Sequence, residues 1–392
     1  MSLEQAIKNQ AHQIGFQLAG ITTCAPPEHY TVFESWLQAG MQADMAYLSS
    51  ERSRHRRADP TRILPGCRSI VSLATCYAPA GSDNIDNSLS APTGTPALRG
   101  RLASYAWGKD YHLVLPQRLE QLAGFIQERL CRTVGYRYYS DTGPLLERDL
   151  AQRAGLGWIG KNTCLINPHT GSYFFLAELL LDIELDPDPP FSSDQCGNCT
   201  RCLDACPTAC ILPDRTIDAS RCISYLTIEL KGAIPLELRQ SLGDWIFGCD
   251  ICQQVCPWNQ RFAPPAGDAA FLPRTGVPYP DLLAEMALSG VEFKHKFSAS
   301  PVLRSKRRGY LRNVAVALTH QAKKFPAVLE HAITTLQEAL LEDQEPLVRG
   351  HAAWSLGTLK QPRARQSLAK ALQTEVDPYV LEEIRNALTN TP

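Results

Sequence analysis

The sequence predicts an α+β multidomain chain, and three observations carry that reading. Two dense cysteine runs occupy its middle, short apolar strand-like runs alternate with amphipathic helical stretches before them, and a faint helical repeat follows them. A length of 392 residues exceeds what one hydrophobic core usually serves, so two or three domains are expected. An apolar content of 44% and a charged fraction of 20% are ordinary for a globular protein. The net charge of -1 excludes a polycationic chain, so any contact with a polyanion must rest on local basic patches.

Residues 1–185 form the first expected domain, of mixed α/β type. SIVSLATCY (69–77) and FFLAELLLDI (174–183) read as strands, the second interrupted by Glu178. GSDNIDNSLSAPTGTPALRG (81–100) is rich in Ser, Asn, Pro and Gly and reads as a surface loop. The Pro/Asp/Ser linker DPDPPFSSDQ (186–195) opens a cysteine domain over 186–262. The proline-rich APPAGDAAFLPRTGVPYP (263–280) closes it. From 281 to 392 the pattern is helical. PLVRGHAAWSLGTL (346–359) can be laid over YLRNVAVAL (310–318) and PYVLEEIRNAL (378–388), with Arg312 and Arg349 37 residues apart and Pro346 and Pro378 32 apart. That period with an A-x-x-x-L stripe predicts HEAT-like α-helical repeats.

The opening stretch MSLEQAIKNQAHQIGF lacks a basic head followed by an apolar core, and no run approaches the roughly 18 apolar residues of a membrane span. A cytoplasmic protein without membrane contact is expected. In that compartment 14 cysteines are not expected to pair as structural disulfides, and the clustered ones read as metal ligands. The scattered Cys24, Cys67, Cys76, Cys131 and Cys164 read as small core residues.

The first run, CGNCTRCLDACP (196–207), has the spacing C-x2-C-x2-C-x3-C-P of bacterial ferredoxins, in which the fourth cysteine serves a different cluster from the first three. The second run, CDICQQVCP (249–257), lacks one cysteine at its front, and Cys222 is the replacement. Eight thiolates satisfy two [4Fe–4S] clusters. With the usual exchange, Cys196, Cys199, Cys202 and Cys256 hold the first, and Cys206, Cys222, Cys249 and Cys252 the second. This spacing is not that of a zinc ribbon. Cys210 is left over.

Two basic runs stand out. HKFSASPVLRSKRRGYLRN (295–313) carries Arg304, Lys306, Arg307, Arg308 and Arg312 at the entrance of the repeats, and RSRHRRADPTR (52–62) is the second. Such runs are commonly solvated faces, yet on a helical solenoid they suit phosphate contacts to a folded RNA. No RRM or KH signature accompanies them.

RRADPTRILPGCRSI (56–70), RLASYAWGKDYH (101–112), YYSDTGPLLERDLAQRAGLGWIGKNTCLI (138–166), RCISYLTIELKGAIP (221–235) and the two cysteine runs resemble the epoxyqueuosine reductases, cobalamin-dependent iron–sulfur enzymes of tRNA modification. The resemblance implies a corrinoid bound to the N-terminal domain and a ferredoxin-like domain. Electrons from an external low-potential donor would pass through the clusters to cobalamin, and a monomer would act on tRNA carrying epoxyqueuosine. It implies a general-acid role for Asp141 and corrinoid contacts from Arg57, Asp141, Ser224, Lys231, Cys249 and Asp250. The cobalamin motif D-x-H-x-x-G is absent: Asp110-Tyr111-His112 begins like it, but position 115 is Leu. That fits a base-off cofactor with no histidine ligand and leaves His112 a packing or hydrogen-bonding role. Glu147 and Arg148 read as a structural ion pair, and Lys161 as a solvated lysine. Two other readings compete: a reductive dehalogenase using the same cofactors, and an electron-transfer adaptor that binds no corrinoid.

Overall fold

The structure, a computed structural model, describes residues 1–79 and 98–389, so most of the loop expected at 81–100 lies outside the described residues. The chain divides into two compact units, each assembled from three segments: 1–80, 108–220 and 250–272 in one, 81–107, 221–249 and 273–392 in the other.

The first unit is built on a four-stranded antiparallel sheet. Its strands are β1 (Leu18–Thr23), β2 (Ser69–Cys76), β3 (Tyr136–Tyr139) and β4 (Phe174–Leu181), in the spatial order β1-β2-β4-β3. Both apolar runs singled out in the sequence are therefore strands. They form the sheet's centre, and β2 is buried along its whole length, which explains its unbroken apolar character. Helix α1 (Leu3–Gln13) is capped by Ser2, and α2 (Tyr111–Leu130) by Asp110. The short α3 (Glu147–Arg153) packs on β2 and β4.

Register corrects one expectation about cysteines. Thr23 of β1 pairs with Ser69 of β2, which brings the next residue, Cys24, beside Cys67. The two are joined as a disulfide, with Cα atoms 6.3 Å apart, inside the normal range for such a bond. Cys24 and Cys67 are both buried in the core as expected, whereas Cys131 is not a core residue. It caps the end of α2 in a left-handed conformation and is exposed. Cys76 is buried as expected, and Cys164 is half-buried.

The second unit is mainly helical. A short parallel pairing of Arg101–Leu102 with Trp245–Phe247 lies in the core beneath α4 (Lys306–Lys324), α5 (Leu329–Glu342), α6 (Pro346–Leu359), α7 (Pro362–Thr374) and α8 (Pro378–Thr389). The three sequence copies are α4, α6 and α8, which pack in succession as repeats do. Close approach of α6 and α8 demands Gly357, where a Cβ would lie 2.6 Å from that of Ala387. The unit's polar core includes Arg239, which donates to Glu383 at 2.9 and 2.5 Å, and His351, which accepts from Ile234 N at 3.2 Å.

Candidate functional site

Asp141 sits in the loop that leaves β3, with a left-handed backbone (φ 63°) that Asp tolerates better than most residues. Several bonds hold that loop. Asp141 N–H donates to Glu147 Oε1 at 2.6 Å, Thr142 N–H to Ser140 O at 2.7 Å, and Ser140 Oγ to Leu176 O at 2.8 Å. Gly143 lies so close under Tyr139 that a Cβ would meet the ring at 2.3 Å.

The carboxylate of Asp141 is 66% exposed and meets the first turn of α2. Tyr111 Oη donates to its Oδ2 at 2.7 Å, and His112 Nε2 lies 3.6 Å from the same oxygen. Capping by Asp110 sets both residues in place: its Oδ1 accepts from His112 N at 3.0 Å and contacts His112 Nδ1 at 2.8 Å. The Tyr111 ring is buried in a stack on Phe175, with centroids 4.3 Å apart, so its hydroxyl has little freedom. Burial of His112 disfavours its charged form, but the carboxylates of Asp110 and Asp141 more than offset it, and its pKa rises to about 9. His112 is therefore an imidazolium at neutral pH.

Behind the loop lies a second group that the sequence hid. Glu147 does not form the expected ion pair with Arg148, which instead donates to Thr163 O at 2.5 Å. Glu147 turns inward to the Asp141 amide and to the carboxyl of Glu178. Glu178 is completely buried in the middle of β4.

A separate pocket in the same unit gathers Cys196, Cys199, Cys202 and Cys256, although Cys256 lies 54 residues beyond Cys202. Four thiols around one cavity are the donor set of a [4Fe–4S] cluster, and the residues present fit that group. Trp158 Nε1 lies 3.4 Å from Cys196 Sγ. Lys161 is not a free solvated lysine: its ammonium donates to Gly197 O at 2.7 Å and Cys199 O at 3.0 Å, fixing the cysteine loop. Of the second set, Cys206 and Cys252 belong to the first unit, Cys222 and Cys249 to the second. Cys210, left over in the sequence, has its sulfur 3.4 Å from that of Cys206; this contact lowers the Cys206 pKa to about 4.

The residues expected to touch a corrinoid are divided likewise: Arg57, Asp141 and Asp250 in the first unit, Ser224, Lys231 and Cys249 in the second. Arg57 is buried, bonded to Ser53 and 3.5 Å from Gly143 O in the Asp141 loop. Lys231 Nζ reaches Ile228 O at 3.3 Å. Both nitrogens of His112 face carboxylates.

The basic run of the second unit does not present all its charges to solvent. Arg304 pairs with Glu229 at 2.9 Å while remaining exposed, and Arg307 pairs with Asp343 at 2.6 Å. Lys306 is exposed and Arg308 half-exposed. Arg312 corrects the expectation of a phosphate contact. It is fully buried, donating to the carbonyls of Leu226 (2.5 Å), Leu230 (3.0 Å) and Gly232 (2.6 Å) and to Asn313 Oδ1.

Fold and site together define an iron–sulfur oxidoreductase with a helical-repeat domain. Residues 195–259 match the 4Fe-4S double cluster binding domain, and residues 301–389 match HEAT repeats. Residues 57–142, which end just past Asp141, match the family described as Epoxyqueuosine reductase QueG, DUF1730. The chain is 42% identical over 354 residues to the epoxyqueuosine reductase of Pseudomonas aeruginosa, covering 90% of this chain and 94% of that one. A crystal structure of epoxyqueuosine reductase with a tRNA-Tyr epoxyqueuosine-modified stem loop superposes with a TM-score of 0.87 at 32% identity, covering 99% of this chain and 98% of that one. The enzyme from Bacillus subtilis, whose catalytic aspartate loop is described as swung out of the active site, gives the same TM-score and identity, covering 100% and 99%. The chain belongs to the epoxyqueuosine reductase family. Among the described residues no helix is long and apolar enough to cross a membrane.

Proposed function

We propose that this chain reduces the epoxide of epoxyqueuosine at the wobble position of tRNA, leaving the cyclopentene of queuosine. The observation that carries this reading is the contact of Asp141 with Tyr111 and the His112 imidazolium, in a chain of this family. The reaction consumes two electrons and two protons per epoxide: both carbon–oxygen bonds break, a carbon–carbon double bond forms, and the oxygen leaves as water. Arg57, Asp141, Ser224, Lys231, Cys249 and Asp250 would hold cobalamin, which would supply low-potential reducing power at the epoxide.

The chain's own residues manage the protons. Asp141 delivers a proton to the departing oxygen, because an alkoxide is a poor leaving group unless protonated. The Tyr111 hydroxyl holds the carboxyl in one orientation. His112, protonated up to about pH 9, is the proton source, and Asp141, whose negative charge raises that pKa, relays the proton as the oxygen departs. Lys161 and Trp158 hold the loop and a sulfur of the first cluster ligand set, and clusters held by the two sets would supply one-electron relay from an external low-potential donor. Lys306, Arg308 and the exposed face of the Glu51–Ala58 helix supply phosphate contacts, and the modified base is splayed out to reach the site. The protein works as a cytoplasmic monomer.

The test is nucleoside mass spectrometry. tRNA containing epoxyqueuosine is incubated anaerobically with protein reconstituted with iron, sulfide and cobalamin, and with a strong reductant. Loss of one oxygen from the nucleoside, only when cobalamin is present, is expected. No change with clusters and cobalamin loaded refutes the proposed substrate.

A further inference from the structure

A carboxyl side chain rarely occupies the middle of a strand buried on both faces, since an ionised group there loses its hydration without recompense. Glu178 occupies such a place. It is 0% exposed, faces Ser72 of β2 and Tyr139 of β3 in register, and takes only a long hydrogen bond, 3.5 Å, from Ser72 Oγ. Its Oε2 is buried and receives no donor from a protein N–H or O–H. What it does meet is another carboxyl, that of Glu147, and two carboxyls can hydrogen-bond only when a proton lies between them. Glu147 in turn accepts the backbone N–H of Asp141.

We propose that Glu147 and Glu178 share one proton and together form a latch that fixes the Asp141 loop, with Glu178 anchored in the sheet and Glu147 gripping the amide of Asp141. They are positioning residues: neither contacts the reacting atoms. The inference rests on the proposed role of Asp141 for its importance, but the latch itself is a property of the loop.

The surroundings suit such a pair. Arg57, from the Glu51–Ala58 helix, is the cation facing Glu147 from outside α3, and also binds the loop at Gly143 O. Arg148 is the cation on α3 itself, Asp141 the facing anion, and Ser72 the neutral partner from β2. Asp149, the other acid of α3, is turned away to His29 and Arg153. Burial first, then the charge of Asp141, pushes the Glu147 carboxyl up to about 7, and burial together with Glu147 pushes Glu178 well above the usual range. The proton held between them is therefore the one on Glu178, and the pair keeps it through neutral pH. When that last proton leaves at higher pH, the two carboxylates repel and Glu147 is driven off the Asp141 amide.

The test is amide hydrogen exchange of the segment 140–147 in the full-length holoprotein between pH 6 and 10, each rate corrected for the intrinsic rate at that pH. Wild type is expected to lose protection at Asp141 by up to ~10-fold per pH unit above the pair's midpoint. Glu178→Gln, which still donates a hydrogen bond to Glu147 but cannot titrate, is expected to keep protection level across the range. Glu147→Leu is expected to leave the Asp141 amide unprotected throughout; should that variant not fold, Glu147→Gln replaces it, with level protection expected. The same pH response in wild type and Glu178→Gln overturns the latch, as does protection that survives in Glu147→Leu. The readout is a backbone amide in the absence of substrate. An error about Asp141 as proton donor would appear instead as turnover by Asp141→Asn, with the exchange pattern unaffected.

Discussion

Tyr111 Oη donates to Oδ2 of Asp141 at 2.7 Å across a separation of 30 residues, joining the N-terminus of a long helix to the loop that leaves the edge strand β3. The hydroxyl is anchored by a ring stacked on Phe175, so it selects one orientation of an otherwise exposed carboxyl. Asp141→Asn is therefore expected to lower turnover by about 10²–10⁴-fold, the usual worth of a positioned proton donor, with iron and cobalamin content unchanged. Tyr111→Phe is expected to lose about 10–100-fold, the value of one hydrogen bond to a charged group. Single-turnover conversion of epoxyqueuosine tRNA by loaded protein measures both.

His112 gives a pH dependence whose sign is fixed by its raised pKa. The ring holds its proton below about pH 9, so the turnover rate is expected to fall as pH rises through that value. In His112→Gln the alkaline limb should vanish and the remaining rate should be low and flat. Stability follows the same proton. Between the unfolded pKa of about 6.5 and the folded value of about 9, the native state binds a proton that the unfolded chain has released. The ring's contribution is complete below the lower value and lost as pH rises through the upper. Denaturant midpoints at pH 6 and pH 10 for wild type and His112→Gln measure it.

The pocket shared by Cys196, Cys199, Cys202 and Cys256 predicts the iron content of variants. Cys256→Ser should reduce bound iron from about eight to about four per chain, since a three-thiolate site holds its cluster poorly. Cys131→Ser, at an exposed helix end, should leave iron content untouched. Colorimetric iron and sulfide determination after anaerobic reconstitution decides between these outcomes.

For tRNA binding, Lys306→Ala and Arg308→Ala are each expected to weaken affinity uniformly across tRNA sequences. Each should also reduce the slope of log K against log salt by about 1. A salt series read by fluorescence anisotropy checks this. Two unchanged slopes would remove that end of α4 from the binding surface.

The grouping of Cys196, Cys199, Cys202 and Cys256 around one pocket was legible because cluster ligation constrains spacing along the chain, and the central strands because burial on both faces leaves an unbroken apolar run. Asp141 was legible only through resemblance, since an Asp before Thr-Gly-Pro also suits an ordinary turn. Its partners were not. Tyr111 and His112 reach it only once α2 docks against the sheet, and Glu178 showed in the sequence merely as one acid interrupting an apolar strand. The Cys24–Cys67 pairing depended on strand register, which no local pattern states.

Arg312 shows what distinguishes a guanidinium used for shape from one used for charge. Its fork of N–H groups serves three carbonyls and an amide oxygen inside the fold. A neutralisation scan across 304–312 would therefore show its steepest loss here and mimic a hot spot for RNA. Arg312→Lys separates the two meanings: a phosphate contact survives that exchange, whereas a planar five-donor socket does not, and the chain would lose its melting transition before it lost any affinity.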